Sequence, residues 1–119
     1  NLIMALSYSS RWEIVNATKS IVDDISAGKL KKEQISQETF SKYLSTQNYP
    51  DPELLIRTSN EHRISNFLLY QIAYSELYFT QVLWPDFRKN NLYEAILNYQ
   101  KRERRFGKTG DQIKQEEIS

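Results

Sequence analysis

The sequence predicts an α/β fold with parallel strand pairing. Three observations carry this. Short apolar or aromatic runs of strand length stand at residues 2–8, Glu53–Ile56 and Glu76–Thr80, helical periodicity separates them, and breaks such as Pro50-Asp51-Pro52 bound them. Strands alternating with helices need crossover connections, and these give parallel neighbours. At 119 residues the chain allows about one domain.

Residues 2–8 open with the run Leu2-Ile3-Met4-Ala5-Leu6, which reads as a strand buried on both faces. Such a strand needs neighbours, so the sequence reads as the later part of a larger domain. Ser10-Arg11-Trp12-Glu13 fits a capping box. The helix behind it carries Trp12, Val15, Thr18, Ile21, Val22 and Ile25 at helical spacing and stops at Gly28. A second helix starts at Ser36, with Ile35 and Phe40 as a staple, and fades by Ser45. Pro50-Asp51-Pro52 breaks the chain before the second strand.

The polar segment Arg57–Arg63 follows that strand. Ser65 then caps a short helix through Tyr74, Trp84-Pro85-Asp86-Phe87 forms a turn, and Asn91-x-x-Glu94 opens a last helix with Leu92, Ile96 and Tyr99 on one face. From Gly107 onward the residues are polar, so residues 108–119 read as a disordered tail behind a domain spanning 1–107.

Composition excludes several classes. Sixteen Lys and Arg against fifteen Asp and Glu give a net charge of +1, too balanced for a nucleic-acid binder that relies on bulk charge. The absence of Cys removes disulfides, thiolate catalysis and Cys-type zinc sites, and a lone His removes a His-rich metal site. Phe67–Tyr74 is too short to span a bilayer. With no charged-then-apolar leader, the expected compartment is the cytoplasm.

In an open parallel sheet, ligands bind beyond the carboxyl ends of the strands. Arg57, Arg63 and Ser65 lie there around an expected helix start, and two guanidinium forks, a hydroxyl and helix N–H groups would suit a phosphate or diphosphate. Surface pairing of the two arginines with Glu53 and Glu61 is the alternative.

The run from Asp51 to Phe79, with Arg57-Thr58-Ser59-Asn60-Glu61-His62-Arg63-Ile64-Ser65 at its centre, closely resembles the signature of the cis-prenyltransferases. Trp84-Pro85-Asp86-Phe87 and Arg102-Glu103-Arg104-Arg105-Phe106-Gly107 match in order, and Ala5-Leu6-Ser7-Tyr8-Ser9-Ser10-Arg11 resembles the family's strand and turn before a long helix. The sequence departs from the family where Ser9-Ser10 and Ser59-Asn60 replace Gly-Gly. Asn is the best non-glycine occupant of a left-handed position, so the second loop can keep its shape. The family's His-Met-Asp-Gly-Asn-Gly-Arg-Trp segment, whose Asp works with magnesium and whose Arg residues hold the allylic diphosphate, does not occur in the chain.

The resemblance therefore implies the C-terminal, incomplete portion of the cis-prenyltransferase fold, a mostly parallel sheet flanked by helices, inactive alone and without a catalytic residue of its own. It implies that Arg57, Arg63 and Ser65 bind the diphosphate of isopentenyl diphosphate, and that Glu76, with His62, stands near magnesium. A structural salt bridge is the alternative for Glu76, and a hydrogen-bonding surface residue for His62. Arg105 and Gly107 would reach the partner's site across a homodimer, or simply complement a helix C-terminus.

The implied reaction condenses isopentenyl diphosphate with an allylic diphosphate such as farnesyl diphosphate, ending in undecaprenyl diphosphate, a cell-wall lipid carrier. The implied protein is cytoplasmic and touches the inner face of the plasma membrane only peripherally, through its product. A non-catalytic subunit of a heteromeric cis-prenyltransferase is one competing reading. A basic-helix nucleic-acid module at Lys101–Lys108 is another, offset by the acidic Asp111–Glu117.

Overall fold

The computed structural model describes residues 1–102. They fall into three α-helices, α1 (Ser10–Ser26), α2 (Gln37–Ser41) and α3 (Lys89–Gln100), and two strands, β1 (Leu54–Arg57) and β2 (Glu76–Phe79). Single 3₁₀ turns stand at Lys32–Gln34 and Trp84–Asp86. The chain divides into two compact units, one of Asn1–Pro52 with Arg63–Ser75, the other of Glu53–His62 with the chain from Glu76 onward. The expected tail at 108–119 lies outside the described residues.

The first unit is built on α1. Its cap sits one residue earlier than the expected box: Ser9, in extended conformation, accepts from the Trp12 N–H. Ser10 is thereby free for another task, and its buried hydroxyl accepts from the Leu69 N–H at 2.9 Å. Glu13 also leaves the capping role and turns inward. The helix ends at Ala27 before Gly28, whose φ of +72° is a left-handed stop. α2 starts as expected, with Ser36 accepting from Thr39, and Phe40 sets its ring 5.1 Å from that of Tyr70.

Two further expectations fail here, each for a physical reason. The buried stripe of α1 is Ser10, Glu13, Ala17 and Ile21, joined by Leu44, Gln71 and Ile72, whereas Trp12, Val15 and Val22 face outward. The polar inward residues win because the unit packs around hydrogen bonds to Glu13. Residues 2–8 form no strand, and Leu2 is 90% and Leu6 78% exposed. A strand exists only where another backbone completes its ladder, and among the described residues β1 and β2 use each other for this.

The expected helix at Ser65–Tyr74 is absent as well. Ser65, Asn66 and Leu68 take positive φ, and the segment runs as turns. The competing bonds are explicit. Asn66 donates its side-chain N–H to Ser9 Oγ and accepts from Arg11 N–H, while its carbonyl takes Ser10 N–H. Tertiary partners override the local cap at Ser65.

In the second unit β1 and β2 pair in parallel, Leu54 opposite Glu76 and Arg57 opposite Phe79. Pairing starts one residue later than expected in β1 and stops one earlier in β2. Beyond the strands, Ser59 N–H donates to the Val82 carbonyl and Asn60 N–H to that of Thr80, both at 2.9 Å. Trp84-Pro85-Asp86 turns, with the Trp84 and Phe87 rings stacked. α3 starts earlier than expected, since Asn91 accepts from Arg88 N–H inside the first turn. Its buried residue is Ala95, while Leu92 and Ile96 stay partly exposed.

Candidate functional site

The loop after β1 is shaped by its backbone. Ser59 and Asn60 both occupy the left-handed region, with φ of 65° and 55°. Each such non-glycine residue is disfavoured by about 1–2 kcal/mol, and the two bonds to Thr80 and Val82 hold the loop there. This is the conformation expected where the family carries Gly-Gly. At the first such pair Ser9 is extended and Ser10 helical, so neither needs glycine's freedom; Ser7 takes the left-handed place, with φ of 54°.

Arg57 therefore ends β1 at the carboxyl edge of the parallel pair. Its half-buried guanidinium has no hydrogen-bond or ion-pair partner among the described residues. His62 lies at the same edge: its ring is 5.1 Å from that of Phe79, the residue opposite Arg57, and Nε2 is 3.3 Å from Asn60 Oδ1. An unpaired guanidinium at the carboxyl edge of a parallel pair suits a multiply charged oxyanion.

Glu76 is at the other end of β2, three residues and so about 10 Å along the strand from Phe79. Its carboxylate receives Arg102 Nη1 at 2.8 Å, and the same nitrogen donates to the Leu77 carbonyl while Nε donates to Asn98 Oδ1. Glu76 is thus engaged by Arg102, and among the described residues no group of three acidic or His side chains could hold a metal ion. The signal for Arg102 was present in the sequence, because a carboxylate heading an apolar strand needs a partner and a basic cluster ends α3.

Arg63 and Ser65 belong to the first unit and both are exposed. Ser65 opens a left-handed turn, so the helix N–H groups expected beside it do not contribute. Arg105 and Gly107 lie outside the described residues.

The first unit holds a second polar cluster that sequence reasoning missed. Glu13, 4% exposed, accepts from the Tyr8 hydroxyl, from both the N–H and hydroxyl of Ser45, and from Gln71 Nε2 at 3.1 Å. Burial opposes ionisation of this carboxyl, but the donors of Ser45, Tyr8 and Gln71 outweigh it and hold its pKa below the usual carboxylate range. Burial and the Glu13 carboxylate push the Tyr8 phenol up. No sequence signal marked Glu13, which also fitted a capping box.

The chain matches the undecaprenyl diphosphate synthase (Prenyltransf) family over residues 1–107, and it belongs to that family. It is 56% identical to an isoprenyl transferase of Chlorobaculum tepidum over 98% of its own length. It is also 56% identical, over 90%, to a Pyrococcus furiosus tritrans,polycis-undecaprenyl-diphosphate synthase described as geranylgeranyl-diphosphate specific. It spans less than half of these relatives, 44% and 40% respectively. The lavandulyl diphosphate synthase of Lavandula x intermedia, solved with dimethylallyl diphosphate, superposes with a TM-score of 0.85 at 40% identity. That match covers 87% of this chain and 45% of the other. A probable undecaprenyl diphosphate synthase from Campylobacter jejuni gives 0.70 at 35% identity. No helix among the described residues is long and apolar enough to cross a membrane.

Proposed function

We propose that this chain carries the isopentenyl-diphosphate-binding part of a cis-prenyltransferase that extends an allylic diphosphate. One observation supports this above all: the guanidinium of Arg57 stands without a partner among the described residues at the carboxyl edge of a parallel pair, beside a loop held in left-handed conformation. Arg57, Arg63 and Ser65 take the diphosphate oxygens. In the reaction the isopentenyl double bond attacks C1 of the allyl group, the C1–O bond breaks and diphosphate leaves, and loss of a proton creates the cis double bond. The task of these side chains is to orient one substrate and to hold its charge.

Magnesium would take a single carboxylate, Glu76, from this chain, with diphosphate oxygens and water filling its other positions. This requires Arg102 to release that carboxylate. The Arg105-Phe106-Gly107 element is proposed to complete the partner's site in a homodimer. The assembled enzyme is proposed to be cytoplasmic, meeting the membrane only through its lipid product. Its primer is an allylic diphosphate such as farnesyl diphosphate.

Titration of the chain with isopentenyl diphosphate by calorimetry tests the reading. Binding should weaken by about one to two decades in Arg57→Ala and in Arg63→Ala, the loss of one charge-assisted contact each. A chain that binds no diphosphate, or whose binding ignores both substitutions, would refute it and favour a non-catalytic subunit.

A further inference from the structure

The loop behind Arg57 is held in shape from outside itself. Ser59 and Asn60 are the central residues of the turn Thr58–Glu61, both with positive φ. The bond that closes this turn, from the Glu61 N–H to the Thr58 carbonyl, is long at 3.5 Å and so holds it weakly. The shorter links lead to the chain beyond β2, from the Ser59 N–H to the Val82 carbonyl and from the Asn60 N–H to the Thr80 carbonyl, each 2.9 Å. Two non-glycine residues stay left-handed side by side only where their surroundings impose it.

Thr80 is the hub of these links. Its N–H donates to the Arg57 carbonyl at 2.9 Å, its carbonyl takes the Asn60 N–H, and its hydroxyl accepts the Val82 N–H at 3.3 Å. The first two bonds belong to the backbone, and any residue but proline would keep them. The third belongs to the side chain. It folds Val82 back onto Thr80, as Ser and Thr hydroxyls do in tight turns, and thereby fixes the two receiving carbonyls at one spacing. Thr80 and Val82 lie in the same compact unit as the loop.

We infer that the Thr80 hydroxyl is a positioning group for the anion site: by holding the Val82 carbonyl against Ser59 it keeps the loop left-handed and off the Arg57 guanidinium, a role that rests on the proposed diphosphate binding by Arg57. That guanidinium has no hydrogen-bond or ion-pair partner among the described residues. A loop released from its left-handed turn brings its own carbonyls, and the Glu61 carboxylate, into competition with a ligand for it. Thr80 touches no substrate in this role. It acts through the backbone of its neighbours.

Calorimetric binding of isopentenyl diphosphate to this chain, paired with amide exchange read residue by residue, tests the role. Thr80→Val keeps the size and branching of the side chain and the bonds of its backbone, so protection in β1 and β2 should stay as in the wild type. Affinity should fall about fivefold, the size of one neutral hydrogen bond, and exchange at Ser59 should quicken by about the same factor. Thr80→Ser, which returns the hydroxyl, should restore both.

Two backgrounds separate positioning from bulk stability. With Ser59→Gly and Asn60→Gly together the left-handed turn no longer needs outside support, and Thr80→Val should then change affinity less than about twofold. With Arg57→Ala the two losses should not add. Unchanged Ser59 exchange in Thr80→Val, no rescue by Thr80→Ser, or an undiminished effect in the double-glycine background would overturn the inference. So would binding that Arg57→Ala weakens and Thr80→Val does not. Binding indifferent to Arg57→Ala would instead refute the diphosphate reading, and the role of Thr80 with it.

Discussion

The two units solve the problem of polar residues in opposite ways. The first buries a carboxylate and surrounds it with donors from three separate stretches of chain, Tyr8, Ser45 and Gln71. The second keeps its charges at strand ends, Arg57 at one and the Glu76–Arg102 pair at the other, where water reaches them. Buried, a satisfied charge fixes a shape, and removing its partners is expensive. At a strand end a charge adds little stability, and it stays available to something that is not protein. The difference separates a framework from a receptor.

Glu13→Ala should be the most damaging single change, because it removes the shared acceptor of three side-chain donors and one backbone N–H, the Gln71 amide among them buried. A loss of about 3 kcal/mol or more in chemical denaturation is expected. If the units are as distinct as their contacts, exchange protection in β1 and β2 will survive it. Simultaneous loss of protection in both units would dissolve the comparison.

Acidification should mimic that mutation. A carboxyl with a depressed folded pKa lends stability that is complete above its unfolded value, about 4.3, and is lost as pH falls through the folded one. The Tyr8 phenol, pushed upward, adds the mirror condition, so its contribution fades only as pH rises past about 10. Denaturation followed from pH 7 to pH 3 should show a smaller decline in Glu13→Gln than in the wild type, since Asp24 and Glu38 also have lowered carboxyl pKa values. Identical profiles would mean that Glu13 is not the group responsible.

Smaller effects belong to the second unit. Arg102→Ala removes a part-exposed ion pair and two further hydrogen bonds, and should cost about 1 kcal/mol in denaturation. Smallest of all, Ser59→Gly and Asn60→Gly should each stabilise by about 0.5–1 kcal/mol, since glycine relieves the left-handed backbone at the expense of a more flexible unfolded chain. A destabilising Asn60→Gly would show that its side chain, near His62, matters more than its φ.

The sequence was legible where local chemistry decides. Gly28 stopped α1 at its left-handed position, Ser36 capped α2, Pro85 made the turn before α3, and the two short strands fell within a residue of their places. It was illegible where distant partners decide. Ser65 read as a helix cap, yet its neighbour Asn66 is bound to Ser9, Ser10 and Arg11, more than fifty positions earlier. Trp12 and Val15 read as core because they are apolar, while the core formed around Glu13, whose three side-chain partners no spacing rule connects. In the candidate site Arg57 was recognisable from its motif, but the capture of Glu76 by Arg102 needed the register of β2 and the length of α3 together.

The Ser75 hydroxyl donates to the Pro52 carbonyl, two positions twenty-three apart in the chain. Ser75 directly precedes β2 and Pro52 stands two residues before β1, so this clasp holds the chain together just ahead of the Leu54–Glu76 pair. Drawing two such points together in an unfolded chain costs about 3 kcal/mol in loop entropy. Parallel pairing of two four-residue strands returns little against that sum. Refolding of the sheet should therefore be timed by how early the clasp closes, which makes a hydroxyl outside both strands the pacemaker of their meeting.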